Sequence, residues 1–497
     1  MLSKKIADGI GFGFVVEKLE CFSYYGNENI RRVRAAFFDS VTLASFYGCI
    51  DHASCFRNIA KLMELQPYQF VETQNLLSGF KNIAGIVKKL GAAYDPPYKT
   101  CEAKKVDCEA ALCEGIERCR SILSEVELFE LKRFLLGLEK FHRLLGIINT
   151  QLDGVRFTDM TDALNILDAD NQRVAAFILP DDDFPALKAA RQKKTQIEAL
   201  IDKHGMTDEL MKKRAMIIAD EDEHEQAVRE HLTCKLMPFV PSFVLNMKSI
   251  GMFDFTLAKA VLALQTGAAC PNISSTKISF TNMWNPKTQA ELEKKGRVFT
   301  KTSIELKPGA TVLIGPNMGG KSLTLKTVFL NVLLANMGFF VFADMAEVPL
   351  FDDVFFIEEG EGNDFLSSFG AEVMQINEAV KSLTGKKLFI ALDEPARTTN
   401  PAEGAKIVRG LISYLAKQKS TSLISTHYDN THIKAQTVYQ TASFTQDDSI
   451  VVDLDSLANI IKYELRKVDR NAAVSTEAIR ICKILKMDPA LLAEIDS

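Results

Sequence analysis

The chain has 497 residues, which is long enough for two or three domains with sizeable hydrophobic cores. A hydrophobic content of 47% and a charged content of 25% are those of an ordinary soluble globular protein. The net charge of −5 and the isoelectric point of about 5.9 exclude a globally basic surface, so any contact with nucleic acid must come from a local patch.

Cysteine usage and hydropathy both favour a cytoplasmic protein without a membrane partner. The ten cysteines include no C-x-x-C pair, and free thiols suit a reducing compartment. Cys101, Cys108, Cys113 and Cys119 cluster, but their spacings match no common zinc pattern, and a buried helical stripe is the better interpretation. No signal peptide is evident, and the most membrane-like stretch, residues 328–343, is too short to span a bilayer.

The first half of the chain is predicted to be mainly helical. Apolar residues between positions 17 and 148 recur at spacings of three and four, as in the run Leu128, Leu131, Leu135 and Leu138. Residues 171–179 predict a short strand. A helical scaffold is the simplest interpretation of this half, which carries no direct sign of function.

Long helices follow the predicted strand. One opens at Pro185 and ends near Gly205, a second runs from Asp208 to about Leu236, and a third covers positions 254–265. Helices that go out, turn and come back can project from a compact body, since 20 residues of helix extend about 30 Å.

The first two of these helices carry a basic run, formed by Lys188, Arg191, Lys193, Lys194, Lys203, Lys212, Lys213 and Arg214. Such a run can neutralise DNA phosphates without reading sequence. Acidic residues follow at once at positions 220–223 and 225, however, and adjacent runs of opposite sign usually form a solvated or mutually paired face. Both interpretations remain open at this point.

Residues 315–322 match the pattern G-x-x-x-x-G-K-[ST], between a predicted buried strand at 311–314 and a predicted helix at 323–334. A glycine-rich turn between a strand and a helix points consecutive backbone N–H groups at a phosphate chain. Lys321 would then reach the β- and γ-phosphates, and Ser322 would hold Mg²⁺. The alternative is a chance glycine-rich turn, but strand, loop and helix all agree. We therefore predict a nucleoside triphosphate site formed by Gly315, Pro316, Asn317, Met318, Gly319, Gly320, Lys321, Ser322 and Leu323.

Two later strands deliver polar side chains. An apolar strand ends in Asp393, which is placed to hold the Mg²⁺ shell, and Glu394, which is placed to orient or deprotonate a water molecule. The strand at 421–426 delivers His427, which suits a sensor of the γ-phosphate. An ordinary buried strand and a structural histidine are the alternatives. The phosphate loop about 70 residues upstream favours the catalytic interpretation.

Together these motifs resemble the MutS family of ATPases, the mismatch-repair branch of the ABC class. The loop at 315–322 has the sequence typical of that family, GPNMGGKS. The segment Thr426-His427-Tyr428 is similar to the family segment that contains its switch histidine. Residues 397–404 resemble the RGTSTxDG loop, and residues 367–373 resemble the STFMVEM segment. The likeness also covers the family's FVPA-x-x-AEV strand, at 341–348, and its C-terminal tail, at 463–495. This likeness is specific across about residues 285–497 and fainter in the residues that precede them.

The resemblance implies an ATP-binding and ATP-hydrolysing homodimer that uses Mg²⁺. In the family, the segment that includes the serine matching Ser367 reaches across the dimer to the γ-phosphate of the partner, so Ser367 joins Glu394 and His427 as a predicted catalytic residue. The tail, at about 471–497, is expected to be a small helical dimerisation element. The helices at about 185–265 resemble the lever arms of the family.

Two departures from the family pattern fall near the expected partner contact. The family's Asp-Glu-Ile-Gly-Arg-Gly is here 393–398, Asp-Glu-Pro-Ala-Arg-Thr, so two glycines are lost. Phe365-Leu366 replaces the glycine-arginine pair that precedes the family's serine. A nucleotide-bound structural dimer with little turnover is therefore a further alternative.

The resemblance also bears on the partner. Relatives that recognise mispairs carry two more domains before the core and a Phe-x-Glu wedge, whereas here the core-like region starts almost at residue 1. We expect a short family member that does not recognise mispairs in the usual way. It either binds DNA in a structure-directed manner, in repair or recombination, or switches its grip on a protein partner with no nucleic-acid role.

The predicted fold class is multidomain. A mainly α-helical core with lever helices, residues 1–270, precedes an α/β P-loop NTPase domain of ABC type, residues 271–497, which ends in the small helical tail.

Overall fold

The elements are helical in the first half of the chain and mixed α/β in the second, which confirms the broad prediction of helices with α/β sheets. The computed structural model describes residues 4–23, 51–81, 83–93, 122–147, 152–274, 276–316, 319–358, 368–444, 461–471 and 487–496. Within these ranges every strand follows residue 271.

Ten α-helices precede the first strand in the described part of the chain. They are α1 Lys4–Ile10, α2 Phe12–Phe22, α3 His52–Met63, α4 Pro67–Gly79, α5 Ile83–Ala93, α6 Glu125–Ile147, α7 Thr161–Leu167, α8 Pro185–His204, α9 Asp208–Leu236 and α10 Val240–Thr266. The α/β part comprises β1 Asn272–Ile273, β2 Ile278–Met283, α11 Pro286–Lys294, β3 Thr302–Leu306, β4 Gly309–Ile314, α12 Lys321–Asn336, β5 Met345–Val348, β6 Asp353–Ile357, α13 Ser368–Ser382, β7 Leu388–Asp393, α14 Pro401–Leu415, β8 Thr421–Ser425, β9 Thr437–Phe444, β10 Ile461–Val468 and α15 Pro489–Asp496.

The chain divides into two compact units, and the division does not coincide with the predicted boundary at residue 270. One unit contains the described residues of 64–254, and the other contains those of 4–23, 51–63 and 255–496. Helices α1 and α2 belong to the second, α/β unit because their apolar side chains are buried in its core, among them Ile10, Phe12 and Leu19. The side-chain amide of Asn285 also donates to the carbonyl oxygen of Ile10, at 3.0 Å.

A six-stranded sheet of order β10-β9-β4-β8-β7-β6 positions the candidate site. Strands β4, β8 and β7 run parallel, with Leu313 opposite Ser425 and Ser425 opposite Asp393. Their carboxyl ends therefore lie side by side at one edge of the sheet, which is where ligands bind in open α/β sheets. Every residue of β4 is buried, as its continuous apolar run predicts.

Helix α12 follows the glycine-rich loop and is held at its far end by a buried lysine. The Lys259 ammonium donates to the carbonyl oxygens of Met337 and Gly338, at 3.3 and 3.1 Å, just past the last residue of the helix. It lies 4.6 and 4.0 Å from the ring centroids of Phe255 and Phe339. Burial lowers the pKa of Lys259 to about 8. A cation at the negative end of the helix dipole helps to fix α12, and with it the loop at its start.

The strand predicted at residues 171–179 is wrong, because this described segment is irregular. Asn171 and Arg173 have φ angles of 54° and 56°, which are outside the extended region. The Asp168 carboxylate accepts from the backbone N–H and the guanidinium of Arg173, at 2.9 and 3.1 Å. These local hydrogen bonds hold a turn in place of a strand.

The continuous helical run Asp208–Thr266 is, among the described residues, long and apolar enough to cross a membrane on length and composition alone. A core helix passes the same test, and Phe243, Ile250, Phe253 and Leu257 along this run are fully buried in the protein. The run is weak evidence for a membrane span.

Candidate nucleotide-binding site

The glycine-rich loop connects buried strand β4 to helix α12. Gly315 and Gly320 have φ angles of 143° and 83°, in the region that favours glycine. A Cβ on Gly315 would lie 2.6 Å from the carbonyl oxygen of Thr441, so the loop passes β9 too closely for a side chain. Asn317 and Met318, two of the predicted phosphate-binding residues, lie outside the described residues.

Lys321, at the first turn of α12, folds back over the loop. Its ammonium donates to the carbonyl oxygens of Gly315 and Pro316, at 3.0 and 3.1 Å, and lies 3.3 Å from Glu394 Oε1. The side chain is only 3% exposed, so its positive charge is concentrated inside the loop. Leu323 follows on the same turn and lines the adjoining cleft.

Ser322 and Asp393 are brought together from α12 and the tip of β7. The Ser322 hydroxyl donates to Asp393 Oδ1 at 2.9 Å, and the Ser425 hydroxyl donates to the same oxygen at 2.7 Å. The backbone N–H of Glu394 in turn donates to the Ser425 hydroxyl at 2.9 Å. Sequence analysis missed Ser425, whose position at the end of the central strand β8 was the available signal.

The donor set at Ser322 and Asp393 fits Mg²⁺. A hydroxyl and a carboxylate are both oxygen donors, and Mg²⁺ in phosphate sites is usually held by one or two such protein groups together with waters and phosphate oxygens. In the described part of the chain, no group of three or more His, Cys, Asp or Glu residues could hold a metal ion by itself. A magnesium ion here therefore needs phosphate and water to complete its shell. The cysteines considered for zinc, 101–119, lie outside the described residues.

Glu394 is surrounded by three basic side chains. Its carboxylate lies 3.3 Å from the Lys321 ammonium, 3.6 Å from the Arg397 guanidinium and 3.8 Å from His427 Nδ1. The Glu394 side chain is 14% exposed. Burial lowers the pKa of His427; the Glu394 carboxylate opposes this, and the Lys321 and Arg397 cations add to it. His427 is therefore neutral near pH 7 and carries one ring N–H donor.

The loop after β7 keeps a left-handed backbone without glycine. Glu394 and Ala396 have φ angles of 49° and 61°, which are uncommon for residues with a side chain. The loop is fastened at Ala396, whose N–H donates to Glu372 Oε1 at 2.8 Å and whose carbonyl accepts from the Tyr428 hydroxyl at 2.9 Å. These bonds offset a strain of about 1 kcal/mol or more per residue.

Gly404, on α14, lets the Tyr428 ring lie against that loop. A Cβ on Gly404 would lie 2.9 Å from Tyr428 Cζ and 3.0 Å from the carbonyl oxygen of Ala396, and closer still to the tyrosine hydroxyl. We expect Gly404→Ala to lower the free energy of unfolding by about 1–3 kcal/mol, because the tyrosine and the loop must shift. Urea unfolding followed by the fluorescence of Trp284, the single tryptophan, reports on this unit.

Gly410→Ala, on the same helix, is the matched control. A Cβ at Gly410 meets nothing within 4 Å, so the substitution should be neutral or stabilise the helix by up to about 1 kcal/mol. Equal destabilisation by the two substitutions would contradict the packing role of Gly404.

A cleft of about 940 Å³ adjoins these groups. The glycine-rich loop, Lys321, Ser322 and Glu394 line its polar part. Leu292, Val298 and Phe299 line an apolar part, which sequence analysis missed. Val298 is 90% exposed, so this part of the cleft wall is open to solvent.

Ser367 lies outside the described residues, as do Phe365 and Leu366; helix α13 begins at Ser368. Its role across a dimer stays a prediction. Of the predicted tail, the structure describes residues 471 and 487–496, including α15.

The basic run on α8 and α9 is largely paired with acids. Arg191 contacts Asp181, Glu221 and Glu225, and Lys194 lies 2.5 Å from Glu221. Four further pairs are Lys188–Asp182, Lys193–Asp220, Lys213–Glu209 and Arg214–Glu198. The mutually paired face is thus the arrangement that the described residues show.

Comparison with known proteins gives one family and several relatives. Residues 311–491 match the family model of MutS domain V. Endonuclease MutS2 of Leuconostoc mesenteroides is 30% identical over 253 residues, 50% of this chain and 30% of that protein. The DNA mismatch repair protein MutS of Macrococcus caseolyticus is 30% identical over 232 residues, 45% of this chain and 27% of that protein. Endonuclease MutS2 of Finegoldia magna is 27% identical over 261 residues, 52% of this chain and 32% of that protein. The chain spans about a third or less of the length of these relatives.

Proposed function

We propose that this chain, which belongs to the MutS family through residues 311–491, binds ATP with Mg²⁺, hydrolyses it, and uses the cycle to change its grip on DNA. The observation that carries the proposal is a cleft lined by Lys321, Ser322 and Glu394. Asp393 lies against Ser322 and His427 against Glu394, and these groups come from the ends of three adjacent parallel strands. The names of the relatives, endonuclease MutS2 and DNA mismatch repair protein MutS, support a DNA-related role.

The residues divide the chemistry between them. Backbone N–H groups of the glycine-rich loop and the Lys321 ammonium bind the phosphate oxygens, and the apolar walls at Leu292 and Phe299 take the base. Ser322 and Asp393 hold Mg²⁺, which neutralises charge on the phosphates when bound. Glu394 orients the water that attacks the γ-phosphorus and accepts its proton as the bond to the ADP oxygen breaks.

Lys321 links ATP binding to the ability of the Glu394 carboxylate to bind the attacking water. Its ammonium contacts the Glu394 carboxylate and two loop carbonyls, and phosphate oxygens compete with these acceptors for it. Binding of the triphosphate therefore weakens the hold of Lys321 on Glu394, and this frees the carboxylate for water. Neutral His427 donates a hydrogen bond to the γ-phosphate, and this bond is lost when the γ-phosphate leaves.

We further propose that the chain acts as a homodimer in the cytoplasm, with Ser367 completing the site of the partner and the C-terminal tail aiding assembly. Helices α8 to α10 would transmit the change as levers. The described cysteines Cys21, Cys55, Cys234 and Cys270 form no disulfide with one another, which suits a reducing compartment.

A protein partner in place of DNA is the second candidate. The paired lever charges and the net charge of −5 favour it, since neither offers phosphates a continuous basic surface.

The ATPase rate, measured alone and with single-stranded, duplex and branched DNA, tests these proposals. We expect Mg²⁺-dependent turnover that one of the DNA forms stimulates. Turnover no higher than that of a Lys321→Ala variant would remove the enzymatic proposal and leave a structural nucleotide-bound dimer. ATP turnover without DNA stimulation, and without DNA retention at low salt, would instead favour a protein partner.

A further inference from the structure

A second cleft, of about 960 Å³, opens at the opposite end of the six-stranded sheet from the nucleotide cleft. Its walls include residues that immediately precede β4, β7 and β8, namely Pro308, Lys387 and Ser420. Six lysines line it: Lys277, Lys307, Lys386, Lys387, Lys417 and Lys419. So many cations around one cleft stand out in a chain with a net charge of −5.

Strand pairing and hydrogen bonds hold the rim of this lysine cleft in place. The N–H of Gly309 donates to the carbonyl oxygen of Ser420 at 2.8 Å, and the N–H of Leu388 donates to the Ser420 hydroxyl at 3.0 Å. That hydroxyl donates to the carbonyl oxygen of Lys386 at 3.3 Å. The segments that carry Lys386, Lys387 and Lys419 are therefore tied together, which reduces the entropy lost when a ligand binds.

Acidic neighbours compensate part of the charge. Lys277 lies 3.4 and 3.0 Å from Glu305 and Glu347, and Lys307 lies 4.0 Å from Glu305. Lys387 donates its backbone N–H to the Asp352 carboxylate at 2.7 Å.

The three remaining lysines, Lys386, Lys417 and Lys419, are exposed and form no ion pair with a carboxylate among the described residues. Lys386 is within electrostatic reach of Asp353. These three side chains supply most of the uncompensated positive charge of the cleft.

We propose that the lysine cleft binds the phosphate backbone of duplex DNA. Ammonium groups bind phosphates as point charges, without reading sequence. The described residues that line the cleft include no aromatic side chain on which an unpaired base could stack and no arginine for bidentate contact with a base edge. A double-stranded backbone is the ligand that this chemistry fits, and the choice of DNA rests on the proposed function.

The lysine cleft can be tested separately from the ATP site. Strand β7 begins just after Lys387 and ends at Asp393, and its six residues span about 20 Å. Substitutions of the exposed lysines should therefore leave ATP affinity unchanged, and unchanged ATP affinity together with an unchanged melting temperature serves as the folding control.

The experiment uses the full chain and a fluorescent 30-base-pair duplex, titrated by anisotropy at several salt concentrations. We expect the triple variant Lys386→Gln, Lys417→Gln, Lys419→Gln to bind at least 10-fold more weakly at 100 mM salt. Its slope of log affinity against log salt should be shallower by about 2.7, since each lost phosphate contact removes about 0.9. Lys386→Gln alone should produce about a third of that reduction in slope.

The matched control is Lys203→Gln, Lys212→Gln, Lys213→Gln, three exposed lysines of the basic run on the lever helices. This control should bind within 2-fold of the parent. Parental affinity in the cleft variant, a loss confined to the lever variant, or an equal loss for a single strand of the same length would each overturn the proposal. A parent that hydrolyses ATP but binds no duplex at 50 mM salt would overturn the cleft and the DNA role together, and leave the ATPase standing.

Discussion

Replacing Lys321 by alanine should abolish ATP binding at micromolar nucleotide. The Lys321 side chain is 3% exposed and its ammonium contacts two carbonyl oxygens of the glycine-rich loop, so its contacts with phosphate would be charge-assisted and shielded from water. Losing hydrogen bonds from a charged group costs about 1.5–3 kcal/mol each, and two such bonds correspond to a loss of affinity of more than 100-fold. Calorimetric titration with Mg²⁺ and a slowly hydrolysed ATP analogue measures it directly.

Lys326→Ala is the control for this experiment. Lys326 lies one turn further along α12 and pairs with Glu358 at 3.3 Å, outside the lining of the nucleotide cleft. Its loss removes a similar charge and a similar ion pair from the same helix, yet should leave ATP affinity within 2-fold of the parent. Near-normal affinity in Lys321→Ala, or an equal loss in both variants, would contradict the assignment of Lys321 to the phosphates.

The relative placement of the polar residues in the site was predictable from sequence. Local motifs and parallel strands leave few possible arrangements of these residues. A phosphate loop after one strand and an acid pair after another must meet when both strands run parallel in one sheet. The structure does bring Ser322 within 2.9 Å of Asp393, two strands away from β4. His427 follows β8, the strand between them, and reaches Glu394 for the same reason.

The remaining parts of the site depend on contacts between distant segments. The apolar wall at Leu292 and Phe299 comes from a polar stretch with no periodic pattern, and only the closed fold places it beside the loop. Helices α1 and α2 show an apolar face in sequence, but such a face does not specify its partner. Asn285 joins them to the α/β unit across 275 residues.

At position 396 the residue differs from the family pattern, but the backbone conformation is still the one that glycine favours. The loss of glycine there predicts a changed loop, yet Ala396 keeps a φ of 61°, the conformation that glycine favours. The Ala396 N–H donates to Glu372, the Tyr428 hydroxyl donates to the Ala396 carbonyl oxygen, and neither partner is near Ala396 in sequence. These tertiary hydrogen bonds hold Ala396 in a conformation that glycine adopts without strain.

Replacing Glu394 by glutamine should give a protein that holds ATP but hydrolyses it about 10²–10⁴ times more slowly. Glutamine has the shape of glutamate but cannot take a proton from water, and general-base catalysis contributes rates of this order. ATP affinity should be kept or raised, because a carboxylate 3.3 Å from Lys321 no longer competes with phosphate for the ammonium. Single-turnover hydrolysis and nucleotide titration separate the two effects, and light scattering with Mg²⁺ and ATP should show the variant accumulating as a dimer.

The charge state of His427 and a control variant at Glu464 make this result specific to Glu394. Its carboxylate raises the pKa of His427 against the effect of burial, so its removal lowers that pKa further and leaves the histidine neutral, as before. Slower turnover therefore cannot come from a newly charged His427. Glu464→Gln removes another carboxylate that lines the cleft, one that pairs with Arg466 on β10, and should turn over at the parental rate. If Glu394→Gln kept the parental rate as well, the group that activates water would have to be another side chain.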